Sequence, residues 1–237
     1  GMQLAEKGRR DLDAAIQKYA AGFPEKPWPV TVRQLLGHLS GVRHYRNEEE
    51  VNSTRHYLNL ADALHVFKDD PLLFEPGARL SYTTYGYTLL GCAVETASGM
   101  KFVDYARENI FRRAGMDTMR ADDVYAIIPN RAQGYRKTPS GELRNSALAD
   151  TSNKIPGGGF CATVNDLAKF AIAVQTGDLV KKDTLELMWT RQKTRDGQLT
   201  NYGLGWGVGE RNGLKEVGHG GGQPRVSTYL HMVPQKG

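Results

Sequence analysis

Cysteine is scarce in this chain, since Cys92 and Cys161 are the only two among 237 residues. A disulfide framework needs more cysteines in a shorter chain, and structural metal sites usually contain a Cys-x-x-Cys or His-x-x-x-His pair, which this sequence lacks. Both cysteines lie in apolar segments, which predicts two small buried side chains. No spacing in the sequence indicates a metal or an organic cofactor, so we expect neither.

Long hydrophobic runs and blocks of like charge are also absent. No window approaches the ~18 consecutive apolar residues that a membrane span requires, so we expect no membrane span. The formal net charge is +5, but basic residues are interleaved with acidic ones, as in segments 6–11 and 43–50. Without a basic stripe or an aromatic stacking platform, we expect no nucleic-acid binding. A 40% hydrophobic content excludes a disordered chain.

Hydrophobic periodicity divides the chain into a helical middle and a strand-rich end. The pattern predicts helices at residues 11–19, 60–68, 85–97, 102–114 and 164–175, and a capping box at residues 31–34 begins another. A hairpin is predicted at residues 132–146, and alternation at residues 202–208 and 226–232 is typical of strands. This order predicts an α+β fold without internal repeats.

Five blocks, in order along the chain, resemble one known family. They are residues 38–45 (HLSGVRHY), 75–77 with 82–87 (EPG and YTTYGY), 130–132 (NRA), 157–166 (GGGFCATVND) and 219–221 (HGG). The blocks resemble those of the serine beta-lactamase and penicillin-binding-protein-like hydrolases, in their class C-like branch. The resemblance implies a beta-lactamase/transpeptidase-like fold, in which an antiparallel sheet flanked by helices packs beside a helical subdomain and the active site lies between them.

The resemblance also divides the chain into three segments. Residues 1–30 correspond to the end of the nucleophile helix and a linker. Residues 31–175 form a mainly helical subdomain, with a Tyr-x-Thr loop and the hairpin near 132–146. Residues 176–237 contribute a helix and the C-terminal part of the sheet. We therefore expect a fold truncated at both ends, and self-association through exposed sheet edges near residues 226–233.

The family chemistry is acyl-enzyme hydrolysis of amide, ester or lactam bonds by a Ser-x-x-Lys motif. Positions i and i+3 share one helix face, and burial lowers the lysine pKa so that the amine accepts the serine proton. The resemblance places this motif upstream of Met2, so no nucleophile is assigned in this chain, which is predicted to be inactive as given. The one match, Ser98-Gly99-Met100-Lys101, is interpreted as a helix stop, and Ser40 as a helix end.

Tyr82 and His219 are the catalytic candidates that the resemblance implies. The Tyr82 phenol would point at the nucleophile and shuttle a proton to the leaving group, with a nearby cation lowering its pKa; an ordinary core tyrosine is the alternative. Thr84 is the matching substrate-binding position, where most relatives have asparagine. A threonine offers one hydroxyl in place of an amide, which argues against binding of a beta-lactam side-chain amide.

The segment around His219 resembles the strand motif Lys-Thr-Gly in its His-x-Gly form. Gly220, Gly221 and Gly222 would let the substrate backbone approach the strand edge, with the Gly222 amide as one donor of an oxyanion hole. A strand-end histidine among flexible glycines is the alternative. Arg225 could attract a substrate carboxylate or could be solvated.

Other conspicuous residues receive structural interpretations. His44 and Tyr45 fall in a matching block without an inferable chemical role, and the glycines at 157–159 are interpreted as a packing turn, because their spacing fits no phosphate-binding loop.

A small-molecule or peptide substrate is the partner that the resemblance implies. A non-catalytic binding or assembly protein that reuses the scaffold is the alternative. The natural substrate does not follow from the sequence, because pocket walls come from several loops. The compartment is equally open; the resemblance implies a periplasmic or secreted protein in bacteria.

Overall fold

A computed structural model of the chain describes residues 1–224 and 226–236. Its helices are α1 (Met2–Glu6), α2 (Val32–Leu36), α3 (Glu48–Val51), α4 (Leu60–Ala63), α5 (Thr84–Ser98), α6 (Phe102–Ala106), α7 (Ile155–Gly158), α8 (Val164–Gln175) and α9 (Lys182–Met188). Its strands are β1 (Arg120–Ala121), β2 (Tyr135–Lys137), β3 (Leu143–Asn145), β4 (Phe160–Cys161), β5 (Gly207–Arg211), β6 (Leu214–Gln223) and β7 (Val226–Met232). The mixture of helices with antiparallel strands confirms the predicted α+β fold. Within the described part of the chain, no helix is both long and apolar enough to cross a membrane.

Short hydroxyl side chains set where several helices begin. The Thr31 hydroxyl accepts from the backbone N–H of Gln34, and the Gln34 side chain accepts from the backbone N–H of Thr31 in return. This confirms the predicted capping box. The Thr163 hydroxyl caps α8 by accepting from the Asp166 N–H, and the Thr83 hydroxyl caps α5 by accepting from the Gly86 N–H. The cap at Thr83 fixes the point at which the chain leaves Tyr82 and enters the central helix.

Helix α5 is largely buried and confirms the predicted helix at 85–97. It packs against α2, α4 and α7. A side chain at Gly91 would place its Cβ 2.4 Å from Cγ of Pro156, so only glycine permits this approach of α5 and α7. The helix ends at Gly99, whose φ of 73° is left-handed. The predicted helix stop at Ser98-Gly99 is thereby confirmed.

Three helix predictions need correction. The segment predicted as a helix at 11–19 contains only a 3₁₀ turn at Ile16–Lys18, because its backbone bonds to the segment at 30–33 instead. The helix predicted at 60–68 is α4 followed by a 3₁₀ turn at Leu64–Val66. The helix predicted at 102–114 is α6, which continues in π-helical geometry over Arg107–Phe111. Tertiary hydrogen bonds outweigh helix propensities that differ by less than ~1 kcal/mol per residue.

Two smaller predictions have mixed outcomes. Strands β2 and β3 form the predicted antiparallel hairpin, with Gly141 in its turn at a φ of 88°. Cys92 is buried as predicted, whereas Cys161, in the two-residue strand β4, is only partly buried.

Strands β5, β6 and β7 form an antiparallel sheet with β6 in the centre. On β6, Val217 is buried in the core, and His219 lies two residues further along the same face. The ladder of β5 ends where Gly207 pairs with Gly218, while β7 continues to pair with β6 as far as Gln223. Residues 219–223 of β6 therefore have β7 on one side and no β5 partner on the other.

The strand predicted over residues 202–208 is wrong for its first half. Residues 202–206 form a turn that begins with an isolated bridge between Tyr202 and Gly207. The Gly203 N–H donates to the Trp206 carbonyl, and Gly205 has a φ of 89°. A side chain at Gly203 would place its Cβ 2.1 Å from the Met188 carbonyl oxygen. Apolar alternation resembled a strand here because the turn also buries alternate residues.

Candidate active site

A cleft of about 710 Å³ opens between the N-terminal end of α5, the turn of α7 and the sheet. Every site residue predicted from the sequence lines it: Tyr82, Thr84, His219, Gly220, Gly221 and Gly222. His44, Tyr45, Tyr202 and Gln223 line it as well. The fold thus brings together two motifs that are far apart in the sequence.

Tyr82 projects into this cleft from the residue before the α5 cap. Its ring centroid lies 4.2 Å from that of His38, 5.5 Å from that of His44 and 6.0 Å from that of His219. The side chain is 41% exposed, so a bound molecule can reach it. The resemblance implies a cation that lowers the pKa of this phenol, but in the structure burial raises it. The phenol therefore keeps its proton at neutral pH.

His38 forms the buried support beneath Tyr82. Its backbone has a φ of 57°, and its Nδ1 accepts from the Thr83 N–H at 3.2 Å. The neutral ring therefore carries its proton on Nε2, which is buried and has no hydrogen-bond partner among the described residues. Burial, and then the charges of His219 and His44, lower the pKa of His38 to about 3. An uncharged ring is thus fixed against Tyr82.

His44 contributes a polar group to the cleft that the sequence interpretation missed. Its Nδ1 accepts from the Thr84 N–H at 3.2 Å, so the neutral ring carries its proton on Nε2. Burial lowers the pKa of His44, and the charge of Lys154 lowers it further. The Thr84 side chain itself is buried. On this side of the cleft, His44 has a polar hydrogen while Thr84 has little exposed surface.

Lys154 is a buried amine behind this wall of the cleft. Its Nζ donates to the Val51 carbonyl at 2.9 Å and lies 4.8 Å from the centre of the Tyr45 ring. Burial lowers the pKa of Lys154 to about 8. No sequence motif singled this lysine out, because its neighbours in space come from segments about 100 residues earlier.

Both ring nitrogens of His219 have partners. Its Nδ1 lies 2.6 Å from the Gly220 carbonyl oxygen, and its Nε2 lies 2.8 Å from the Tyr202 hydroxyl. Burial raises the pKa of Tyr202 far above its usual range. Tyr202 was assigned to a strand from its spacing, so sequence reasoning gave it no place in the site.

The glycines of the site allow close approaches between elements. A Cβ at Gly157 would lie 2.7 Å from Cγ2 of Thr84, and one at Gly158 would lie 2.8 Å from the Gln223 amide nitrogen. The segment at 157–159 thus packs tightly, as predicted. Its turn is the end of helix α7. By contrast, a Cβ at Gly222 would meet no atom of the described residues within 4 Å.

Neither serine that superficially fits a nucleophile motif lies in the cleft lining. The Ser98 hydroxyl donates to the Val94 carbonyl at the end of α5, and Gly99 interrupts the helix before Lys101. Ser40 is fully buried, and its hydroxyl accepts from the Val42 N–H. Arg225 lies outside the described residues. Among residues 1–224 and 226–236, no cluster of three or more His, Cys, Asp or Glu side chains could hold a metal ion.

Comparisons with known proteins agree with this architecture. The human serine beta-lactamase-like protein LACTB, mitochondrial, is 29% identical over 99% of this chain, and penicillin-binding protein 4* of Bacillus subtilis is 30% identical over 96%. The chain spans 60% and 53% of the length of these relatives.

Two solved structures share the fold over 99% of the chain. A penicillin-binding protein from Bacillus halodurans has a TM-score of 0.80 at 27% identity, with 72% of its own chain covered. An octameric penicillin-binding protein homologue from Pyrococcus abyssi has a TM-score of 0.83 at 26% identity, with 56% covered. The family model described as Beta-lactamase matches residues 1–237. The chain therefore belongs to the beta-lactamase family and has the beta-lactamase/transpeptidase-like fold.

Proposed function

We propose that the cleft is the acyl-transfer site of a beta-lactamase-like serine hydrolase acting on amide, ester or lactam bonds. The observation that carries the proposal is the meeting of Tyr82 and His219, with ring centroids 6.0 Å apart, beside the unpaired edge of β6. A phenol, an imidazole and an open strand edge are the groups that such a reaction needs around the scissile carbonyl.

Each group has a step in the proposed reaction. A serine oxygen attacks the carbonyl carbon while the lysine of the Ser-x-x-Lys motif takes up the serine proton, and the backbone at Gly222 donates a hydrogen bond to the oxyanion that forms. The bond to the leaving group then breaks, and Tyr82, which burial keeps protonated, gives its proton to the departing nitrogen or oxygen and regains one from the protonated lysine. Water hydrolyses the resulting acyl-enzyme and regenerates the serine. The backbone at 219–222 aligns the substrate along the sheet.

The nucleophile is the part of this proposal that the 237 residues do not supply. Their one Ser-x-x-Lys match, at Ser98 and Lys101, lies at a broken helix end outside the cleft lining. We propose that a Ser-x-x-Lys motif outside this sequence completes the site. The names of the relatives, penicillin-binding proteins and a D-aminopeptidase from Brucella anthropi, support a small amide or peptide as the substrate.

Two measurements test the proposal. In a protein that carries the Ser-x-x-Lys segment together with this chain, Tyr82→Phe should lower kcat/KM for a chromogenic amide or ester by ~10²- to 10⁴-fold. The matched control is Tyr135→Phe, which removes the same oxygen from the exposed strand β2 and should leave kcat/KM unchanged.

The second measurement uses the 237-residue chain alone. A fluorophosphonate probe should leave it unlabelled, since losing such a nucleophile costs about 10⁶ in turnover in the serine proteases where it was measured. A labelled peptide containing Ser98 or Ser40 would contradict the assignment, as would a Tyr82→Phe protein with full activity.

A non-catalytic assembly role is the second candidate, and the free edge of β7 favours it. In the described part of the chain the sheet order is β5-β6-β7, so β7 has unpaired backbone groups along one side. Such edges tend to pair with other strands. Light scattering over a broad concentration range tests this role: a growing mass that Thr228→Pro abolishes supports it, and a constant monomer mass contradicts it.

A further inference from the structure

We propose that Tyr202 is a positioning residue for His219: its phenol holds the imidazole in the tautomer with the proton on Nδ1 and leaves no free lone pair for a substrate. The positioning stands on the geometry of the described residues alone. Its consequence for catalysis rests on the proposed function.

Nδ1 of His219 lies 2.6 Å from the carbonyl oxygen of Gly220. A carbonyl oxygen can only accept a hydrogen bond, so Nδ1 must carry a proton. In the neutral ring, the lone pair is then on Nε2.

Nε2 of His219 lies 2.8 Å from the Tyr202 hydroxyl. Tyr202 is buried and its pKa is strongly raised, so its hydroxyl keeps its proton and donates it to Nε2. The only lone pair of the neutral imidazole therefore accepts the hydrogen bond from Tyr202. His219 in this state is not available as a general base.

In the charged form of His219, Nε2 also carries a proton and is a donor, so the Tyr202 hydroxyl must accept from it. The Tyr202 hydroxyl can then turn its proton away from His219 and toward the oxygen of the neighbouring Tyr87, while Tyr87 donates to the Leu36 carbonyl at 3.0 Å. The imidazolium thus keeps both partners. His219 can gain a positive charge beside a substrate anion without moving its ring.

The fold holds Tyr202 firmly enough for this role. Its backbone forms a bridge with Gly207, and Gly207 in turn pairs with Gly218, the residue before His219. The ring centroid of Tyr202 lies 4.7 Å from that of His38 and 5.9 Å from that of His219, nearly perpendicular to the latter at 83°. The phenol oxygen is therefore directed at the imidazole by packing on two sides.

His219 and Tyr82 therefore have different chemical roles within the cleft. His219 contributes through its charge when protonated, by stabilising an oxyanion or a substrate carboxylate, and it does not remove a proton from the nucleophile. The phenol of Tyr82, which is partly exposed, is left as the group in contact with both substrate and solvent that can transfer a proton.

Long-range ¹H–¹⁵N NMR of ¹⁵N-histidine-labelled chain tests the inference, with the His219 signals assigned from a His219→Gln sample. In the wild type above neutral pH, we expect His219 as the Nδ1–H tautomer. Tyr202→Phe should shift the tautomer ratio about fivefold toward Nε2–H, which corresponds to a net hydrogen bond of about 1 kcal/mol. Tyr87→Phe is the matched control, because it removes a neighbouring phenol oxygen that does not bond to His219, and it should leave the tautomer unchanged.

A wild-type His219 in the Nε2–H form would overturn the inference, as would a folded Tyr202→Phe protein with an unchanged tautomer. If Tyr202→Phe does not fold, the ¹⁵N chemical shift of Nε2 in the wild type still tests the bond to Tyr202, because a lone pair that accepts a hydrogen bond is more shielded than a free one. No part of this measurement depends on turnover, so a failure of the proposed hydrolase activity and a failure of this inference are separate outcomes.

Discussion

Acidification should destabilise this protein through His38 before its carboxylates begin to titrate. The His38 ring is fully buried, and its Nδ1 accepts from the Thr83 N–H. Burial, with the charges of His219 and His44, lowers the pKa of His38 to about 3 from an ordinary 6.5. Below pH 6.5 the unfolded chain binds a proton at this position and the folded chain does not. Stability is therefore lost as the pH falls from 6.5 toward 3.

The size of the loss follows from the two pKa values. Each unit of difference corresponds to about 1.4 kcal/mol of unfolding free energy. At pH 5 the 1.5 units below 6.5 give a loss of about 2 kcal/mol, and near pH 3 the full 3.5 units give about 5 kcal/mol. Carboxylates with lowered pKa values, such as Asp150 and Glu50, lose their contributions mainly below pH 4.5 and add little at pH 5.

Urea unfolding at pH 7.5 and pH 5.0 measures this loss. His38→Asn is the informative variant, because asparagine tolerates the φ of 57° and its side-chain oxygen can still accept from the Thr83 N–H. It lowers stability at both pH values by removing the ring that packs against Tyr82. The wild type should lose about 2 kcal/mol more than this variant between the two pH values. His65→Asn, at an exposed position, should match the wild-type loss.

Comparing the wild type with His38→Asn isolates the contribution of His38. His44 also has a lowered pKa, but it is present in both proteins and cancels in the difference. Equal losses in wild type and His38→Asn would refute the reasoning, since they would mean that the buried ring accepts a proton in the folded state as readily as in the unfolded one.

Three further outcomes follow from the packing and capping of the chain. Thr31→Ala should lower the unfolding free energy by about 1 kcal/mol through loss of the α2 capping box, and an unchanged urea midpoint would contradict this. Gly91→Ala should lower Tm, because its Cβ would lie 2.4 Å from a carbon of Pro156, although alanine favours helix over glycine by ~1 kcal/mol. A raised Tm would contradict this and would show that α7 can shift to admit the methyl group. Lys154→Met should raise the pKa of His44, because the lysine charge lowers it, and an unshifted NMR titration of His44 would count against that coupling.

Local rules predicted the elements whose signals lie within one turn or one strand. The capping box at residues 31–34, the long helix α5 and the hairpin at β2 and β3 all follow from side chains a few residues apart. The helix predicted at residues 11–19 does not form, because the backbone there bonds to residues 30–33. A pattern that spans a few residues does not indicate a partner so far along the chain.

The residues of the candidate site were likewise predicted only in part. Tyr82, Thr84 and the glycines after His219 were found because they stand in short blocks that resemble a family. His38, Lys154 and Tyr202 were missed, although all three are buried within or behind the cleft wall. Their roles arise from contacts with distant segments, such as the bond from Lys154 to Val51, and burial is what shifts the pKa of each.

The amino-acid sequence by itself determined the α+β order, the helix caps and the motif residues, because periodicity, hydroxyl caps and glycine turns act over a few residues. Only the tertiary structure decided that Tyr82 and His219 share one cleft, that Tyr202 bonds to His219, and that His38 remains uncharged. The physical reason is that electrostatic and hydrogen-bonding properties depend on which groups are removed from water together, and that is settled when distant segments pack.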